Sequence, residues 1–96
     1  MRDRWLGAHT WTDLVASAST TVLAVPLGAT EQHGPPLPLD TDTSIAVALA
    51  QRLAGARNDV LVAPAVPYGS SGEHAGFPGT LSIGGPALTT LVVELV

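Results

Sequence analysis

The sequence predicts an α/β fold, the N-terminal part of a three-layer α/β/α sandwich with a mostly parallel sheet. Two short apolar, β-branched runs, "TTVLAVPLG" and "DVLVAPAVPYG", flank a segment with helical periodicity. That order is typical of a βαβ unit with parallel strands. Apolar residues make up 46% of the chain and aromatic residues only 4%, which suits a close-packed layered core. The 96 residues allow one small domain at most.

The first two elements follow from local patterns. Thr12 is placed to cap a short helix over residues 13–18, with Asp13 in its first turn. A strand is predicted near residues 22–25, because an apolar run of this kind is typical of a strand buried on both faces. Pro26 and Gly28 then end the strand.

A central helix is predicted over residues 42–53, with Gly55 as its C-terminal cap. Its apolar residues recur at helical spacing: Ile45, Ala46, Leu49, Ala50 and Leu53. A second buried strand is predicted at residues 61–65. The last helix has Pro86 at an early position and one apolar stripe, formed by Leu88, Leu91, Val92 and Leu95.

Absent residue types exclude several classes of function. Without lysine the chain forms neither a Walker-type phosphate loop nor a Schiff base. Its few arginines and its net charge of −4 argue against a nucleic-acid partner. Without cysteine there is no disulfide, thiolate nucleophile or cysteine zinc site. We find neither a signal-peptide pattern nor an apolar run long enough to span a membrane, so the cytoplasm is the expected location.

The stretch "GATEQHGPPLPLDTDTS" places Glu31, His33 and Asp42 in the loop between the first strand and the central helix. Ligands of open α/β sheets bind at this carboxyl edge. Two carboxylates and one imidazole suit Zn²⁺, Mn²⁺ or Fe²⁺, and a carboxylate such as Asp42 is able to bridge two ions. Three ligands are too few to close a two-ion site. The prolines stiffen the loop and would hold these ligands in place.

A purely structural explanation of the same loop is open at this level. Asp42 or Thr41 would cap the central helix, while Glu31 and His33 would be solvated and the prolines would shape a turn. Spacing alone favours this explanation over a metal site.

A second polar pair, Glu73 and His74, lies in the glycine-rich loop "YGSSGEHAGFPGT" after the second strand. Because loops that leave parallel strands emerge at the same end, we expect Glu31 and Glu73 to share one edge of the sheet. An ordered loop with only a packing role is the alternative.

Ser70 and Ser71 precede this pair and suggest a serine hydrolase. The G-x-S-x-G pattern of a nucleophile elbow is not met, because Glu73 stands where the second glycine is needed. A phosphate-binding role fails for want of lysine. The two serines are therefore expected to be structural.

These stretches resemble the creatininase family of amidohydrolases. "PLGATEQHGPPLPLDTDT" is similar to the family's N-terminal metal motif, E-x-H-G-x-H-L-P-L-x-T-D, and "YGSSGEHAGFPGTLSIG" is similar to its second signature. The resemblance is greatest to members associated with mycofactocin, a peptide-derived redox cofactor. Those members are peptidases that trim a modified precursor peptide.

The resemblance implies that Glu31, His33 and Asp42 are metal ligands, with Asp42 bridging two divalent ions. Zinc is the expected metal, with iron or manganese as alternatives. Glu73 and His74 fall in a loop that lies near the active site in the family. Pro36 departs from the pattern, which has a histidine at this position.

Family members are longer, so residues 1–96 are expected to form the N-terminal half of one creatininase-like domain, with the remaining ligands and the catalytic acid–base group beyond them. The chain is therefore expected to be a truncated form that is inactive by itself. The implied function is hydrolysis of a C–N bond. The substrate would be the C-terminal part of the modified peptide, or a small cyclic amide such as creatinine. A homo-oligomer is expected for the full-length form, and composition and hydropathy argue against nucleic-acid and membrane partners. The competing hypothesis is a non-catalytic fragment that binds metal weakly or associates with other subunits.

Overall fold

The computed structural model describes residues 2–96, which form helices around a short parallel sheet. The elements are α1 (Trp11–Leu14), β1 (Val22–Ala24), α2 (Thr41–Ala56), β2 (Val60–Val62) and α3 (Gly84–Leu95). The two strands pair in parallel, with Val22 opposite Val60 and Ala24 opposite Val62. The predicted α/β fold with parallel strands is confirmed.

Helices α2 and α3 lie on opposite faces of the sheet. Ala24 packs against the core cluster that α2 forms on β2, which consists of Ala50, Ala54, Val60 and Val62. The neighbouring Leu23 lines a groove with Leu91 and Leu95 of α3, because successive side chains of a strand point to opposite faces. The arrangement has three layers, and the groove between α3 and the sheet has a volume of about 810 Å³.

The core of the sheet is β2 rather than β1. Val22 and Leu23 are 44% and 47% exposed, so the predicted burial of the first strand on both faces is wrong. Val62 is buried and pairs on one side with Ala24 and on the other with Trp5. Among the described residues, β1 is therefore an edge strand. β2 also ends earlier than predicted, because Pro64 has no N–H to donate to a ladder.

Helix α2 packs through its smallest side chains. Ala50 and Ala54 are buried, whereas Ile45 and Leu49 of the predicted apolar stripe are exposed. Alanine allows the helix to approach β2 closely, and the larger residues lie on another part of the helix surface. Gly55 does not cap the helix, which continues through it to Ala56 and has Arg57 as its C-cap.

Helix α1 is shorter than predicted and begins earlier. Thr10, not Thr12, is its N-cap, and Thr10 and Asp13 form a reciprocal capping box. The hydroxyl of Thr21 donates to the carbonyl of Ser17 at 2.8 Å. Such side-chain bonds compete with the helical pattern, which explains why the predicted helix over residues 13–18 does not form.

Helix α3 forms over Gly84–Leu95, with Pro86 at an early position as predicted. Leu88, Leu91 and Val92 are half-buried, while Leu95 at the end is exposed. Across residues 2–96, none of the helices combines the length and apolar character required to cross a membrane.

Candidate metal centre

The loop between β1 and α2 is tied to the start of α2. The hydroxyl of Thr43 donates to the carbonyl of Ala29 at 3.0 Å. A Cβ atom on Gly28 would lie only 2.5 Å from the Cα atom of Thr43, so only glycine permits this approach. The contact places Asp42, in the first turn of α2, beside the residues that follow Ala29.

The same loop folds back on itself near its proline-rich tip. The N–H of Glu31 donates to the carbonyl of Leu39 at 3.1 Å. His33 and Leu37 form an isolated antiparallel β-bridge. Gly34 turns the chain with a φ of 70°, a region that favours glycine. Glu31 and His33 are thus held on a closed, stiff loop.

Glu31, His33 and Asp42 converge at this point. Each contributes one donor atom, and these atoms all lie within 4.8 Å of one another. The Nε2 atom of His33 is 3.2 Å from Oδ1 of Asp42, and their side chains are 23% and 37% exposed. The side chain of Glu31 is only 13% exposed. The three predicted residues are therefore brought together and partly shielded from water.

The ring of His33 has an oxygen acceptor beside each nitrogen. Its Nδ1 atom lies 3.3 Å from the backbone carbonyl of Glu31, its Nε2 atom lies 3.2 Å from Oδ1 of Asp42, and both oxygens only accept hydrogen bonds. An ion bound at Nε2 requires the ring proton on Nδ1, where the carbonyl of Glu31 would accept it. A backbone carbonyl that orients imidazole in this way is typical of metal-binding histidine.

The alternative role as a helix cap does not apply to Thr41 or Asp42. The N-cap of α2 is Asp40, which makes no side-chain capping bond. The hydroxyl of Thr41 donates to the carbonyl of Pro38 at 2.6 Å. The carboxylate of Asp42 instead faces the imidazole of His33.

The second loop meets the first at the same edge of the sheet, as predicted. The Nε2 atom of His74 lies 3.4 Å from Oε2 of Glu31 and 3.6 Å from Oε1 of Glu73. The rings of His33 and His74 are nearly parallel, with an interplanar angle of 5° and centroids 6.5 Å apart. Glu73 is 81% exposed and borders the site from solvent.

Gln32 connects the two loops and was not predicted from the sequence. Its side-chain amide lies 2.8 Å from Nδ1 of His74, and its backbone N–H donates to the hydroxyl of Thr80 at 3.1 Å. A single uncharged amide side chain does not by itself indicate a functional site in a sequence. The one feature that pointed to Gln32 was its position between the predicted ligands Glu31 and His33.

Ser71 has no catalytic partner in the described part of the chain. Its side chain is 1% exposed, and its hydroxyl oxygen makes no hydrogen bond within residues 2–96. Its backbone N–H donates to the hydroxyl of Ser82 at 2.9 Å. Ser70, by contrast, is exposed. The expected structural role of these serines agrees with this geometry.

A cavity of about 350 Å³ adjoins the site. His33 and Gln32 lie on one side, and apolar residues of both loops form much of the rest, among them Leu37, Leu39 and Phe77. The site therefore combines three converging donors, a neighbouring imidazole and an apolar recess.

Comparison with known proteins identifies related sequences over nearly the whole chain. Residues 8–96 match the family described as "Creatininase: Creatinine amidohydrolase". A "Mycofactocin precursor peptide peptidase" of Mycolicibacterium smegmatis is 53% identical and aligns with 92% of this chain and 38% of its own length. A "Creatinine amidohydrolase" of Pseudomonas putida is 35% identical, over 96% of this chain and 38% of its own.

Solved structures agree with the sequence relatives. A creatininase described as "Zn-Zn type" superimposes with a TM-score of 0.83 and 35% identity, over 95% of this chain and 38% of its own. A structure named "Creatininase Mn" has a TM-score of 0.84 and 34% identity, over 96% and 38%. The chain thus spans well under half the length of these relatives. Because both the family profile and the relatives cover almost all of the chain described here, it belongs to the creatininase family.

Proposed function

We propose that this chain carries the N-terminal part of a metal-dependent C–N hydrolase, and that the substrate is the C-terminal part of a modified mycofactocin precursor peptide. The observation that carries the proposal is the convergence of Glu31, His33 and Asp42, with donor atoms within 4.8 Å of one another. The choice of substrate follows the 53% identical relative, whose name specifies a precursor peptide peptidase. A small cyclic amide such as creatinine is the alternative, after the 35% identical relative.

The three donors fit a divalent cation. Two donor atoms that are each about 2.1 Å from one ion lie about 3 to 3.4 Å apart, and Nε2 of His33 is 3.2 Å from Oδ1 of Asp42. An ion bound at Nε2 leaves the ring proton on Nδ1, beside the carbonyl of Glu31. One imidazole and two carboxylates suit zinc, iron and manganese, and we propose zinc. A second ion requires ligands beyond these three.

When bound, such an ion supplies Lewis-acid activation of water and of an amide carbonyl. The protein's own contribution is to hold the donors on a stiff loop and to limit access of water. Glu31 is nearly buried, and the prolines reduce the freedom that the loop loses on ordering.

The second loop and the adjoining cavity are proposed to contact the substrate. Glu73 is exposed at the rim, where it can reach the polar backbone of a peptide. The cavity beside His33 is lined by Leu37, Leu39 and Phe77 and can accept an apolar side chain. The loop that carries Glu73 and His74 would therefore border the substrate.

The remaining expectations also stay proposals. We propose a cytoplasmic protein that forms a homo-oligomer and uses neither nucleic acid nor a membrane as a partner. Exposed apolar side chains on α2, such as Ile45 and Leu49, support self-association. The acidic net charge of −4 argues against binding to nucleic acid.

A second candidate function is metal binding without turnover. It is favoured by the donor set itself, because three donors leave a two-ion site incomplete. The two functions differ in what happens to a substrate once metal is bound.

The test is incubation of zinc-loaded protein with the modified precursor peptide, and separately with creatinine, followed by mass spectrometry; the protein is used both as residues 1–96 and extended to the length of the relatives. We expect the extended protein to shorten the peptide and to leave creatinine unchanged, and we expect no cleavage by residues 1–96 alone or by the extended Glu31→Gln variant. Zinc binding by the extended protein without cleavage of either substrate would replace the hydrolase by the second candidate. Absence of zinc binding would contradict both.

A further inference from the structure

The side-chain amide of Gln32 has a defined orientation. Its Oε1 atom accepts a hydrogen bond from the backbone N–H of Gly34 at 3.0 Å, so the NH₂ group lies at the other branch of the amide. That NH₂ group is 2.8 Å from Nδ1 of His74. Because an amide NH₂ group serves as a donor, Nδ1 of His74 accepts this hydrogen bond.

This contact determines where the neutral ring of His74 carries its proton. A neutral imidazole has one N–H and one acceptor nitrogen. Since Nδ1 accepts from Gln32, the proton is on Nε2. That atom lies 3.4 Å from Oε2 of Glu31 and 3.6 Å from Oε1 of Glu73, so the N–H edge of the ring faces two carboxylates.

The two carboxylates are not equivalent partners. The side chain of Glu31 is 13% exposed, and that of Glu73 is 81% exposed. An electrostatic contact is stronger where water is excluded and weaker where solvent screens it. The contact from His74 to Glu31 is therefore the one that matters energetically.

His33 and His74 differ in their partners although their rings are parallel. Nδ1 of His33 faces the carbonyl of Glu31, which suits the tautomer that binds a metal ion through Nε2. His74 carries its proton on Nε2. A nitrogen that bears a proton does not bind a metal ion, so the two histidines are suited to different tasks.

We propose that Gln32 orients the ring of His74 through a hydrogen bond, and that His74 in turn orients the carboxylate of Glu31 through their ion-pair contact, which makes His74 a positioning residue and not a metal ligand. The inference rests on the proposed function, in which Glu31 binds the metal. Residues that hydrogen-bond to metal ligands typically contribute about 10- to 100-fold in metal affinity.

The first test measures the zinc dissociation constant by competition with a chromophoric chelator. We expect His74→Leu to bind zinc about 10- to 100-fold more weakly, and His74→Gln, whose amide can replace the Nε2–H donor, to remain within about threefold of the unaltered chain. His9→Leu is the matched control, because His9 contacts the carbonyl of Asp3 away from the site. Unchanged affinity in a folded His74→Leu variant would overturn the inference.

The second test is decided on the unaltered chain, and one variant serves as a comparison. Long-range ¹H–¹⁵N correlation spectra of the unaltered, metal-free chain, at a pH where the imidazoles are neutral, report which ring nitrogen bears the proton. We expect Nε2–H for His74, and a mixture of tautomers in Gln32→Leu. A proton on Nδ1 of His74 would overturn the inference even if zinc binds. Failure of the unaltered chain to bind zinc would instead overturn the proposed function.

Discussion

At the amino edge of the sheet, His9, Asp13 and Asp59 line a cavity of about 420 Å³. At the carboxyl edge, Glu31 and Asp42 meet two imidazoles. The residue types are similar, but their partners differ. The N–H of Thr10 donates to Asp13 at 2.8 Å, and the guanidinium of Arg57 donates to Asp59 at 2.7 and 2.9 Å.

These partners explain why the two edges are suited to different purposes. Hydrogen bonds from Thr10 lower the pKa of Asp13, and the hydrogen bond from Arg57 lowers that of Asp59. Both carboxylates are therefore already satisfied by neighbours in sequence. Within residues 2–96, Glu31 and Asp42 form ion pairs only with histidines. A cluster of acids and histidines indicates a metal site only where no fixed cation or backbone donor has already occupied the carboxylates.

The largest expected effect comes from removing the donors at the carboxyl edge. We expect Glu31→Gln, His33→Ala and Asp42→Asn each to weaken zinc binding by more than the roughly 100-fold that outer partners contribute, because a direct ligand is lost. The matched changes at the amino edge, His9→Ala and Asp59→Asn, should leave the dissociation constant unchanged. Calorimetric titration measures both sets, and equal losses at the two edges would remove the distinction.

The packing of the first loop against α2 is expected to have the next largest effect. Gly28→Ala would place a Cβ atom 2.5 Å from the backbone of Thr43, and we expect it to lower the free energy of unfolding by about 3 kcal/mol. Zinc binding should weaken as well, because Asp42 would move away from His33.

Gly85→Ala is the control for this substitution. Gly85 lies in α3 with no atom within 4 Å of the position that a Cβ would take. Alanine there should stabilise the helix by up to about 1 kcal/mol. Urea unfolding compares the two variants, and a similar response from both would show that the Gly28 contact is not special to the carboxyl edge.

A smaller effect is expected at the cap of α1. Thr10→Ala removes the capping oxygen and should cost about 1 kcal/mol of stability. Thr12→Ala, two residues along, should cost less than about 0.5 kcal/mol. Thermal unfolding separates the variants, and zinc affinity should be the same in both. A larger loss of stability in Thr12→Ala than in Thr10→Ala would indicate that Thr12 is the N-cap.

The smallest effect is a dependence of stability on pH at the amino edge. The pKa of Asp59 lies below its ordinary value of 3.8 in the folded chain, so its ionised form favours folding. This contribution is present above that value and is lost as the pH falls through the lowered pKa. The stability difference between the unaltered chain and Asp59→Asn should therefore shrink toward zero in acid. A difference that grew in acid would have the wrong sign.

Periodicity and strand composition were enough to predict most of the fold. The βαβ order identified both strands and α2, and the stripe ending at Leu95 identified α3. Parallel strands then required the two loops to meet, and the contact between Glu31 and His74 confirms that expectation. These features depend on local pattern and on topology, which a sequence carries directly.

The sequence could not predict features for which several residues or elements were equally able to make the contact. Thr10 and Thr12 are both able to cap a helix, and only the position of Asp13 in the folded chain decides between them. The exposure of Leu23 depends on which elements cover the sheet. The proposed role of Gln32 depends on the orientation of its side-chain amide. The hydrogen bond from Gly34 sets that orientation, and the sequence alone does not reveal it.

The central claim is that the first loop and the first turn of α2 supply the ligands, whereas the second loop only orients them. Its most direct test is X-ray absorption spectroscopy of the zinc-loaded chain. The number of imidazole rings bound to each zinc ion is read from the outer-shell scattering. We predict one imidazole, contributed by His33, in both the unaltered chain and His74→Leu. Two imidazoles in the unaltered chain, or loss of the imidazole signal in His74→Leu, would contradict the account.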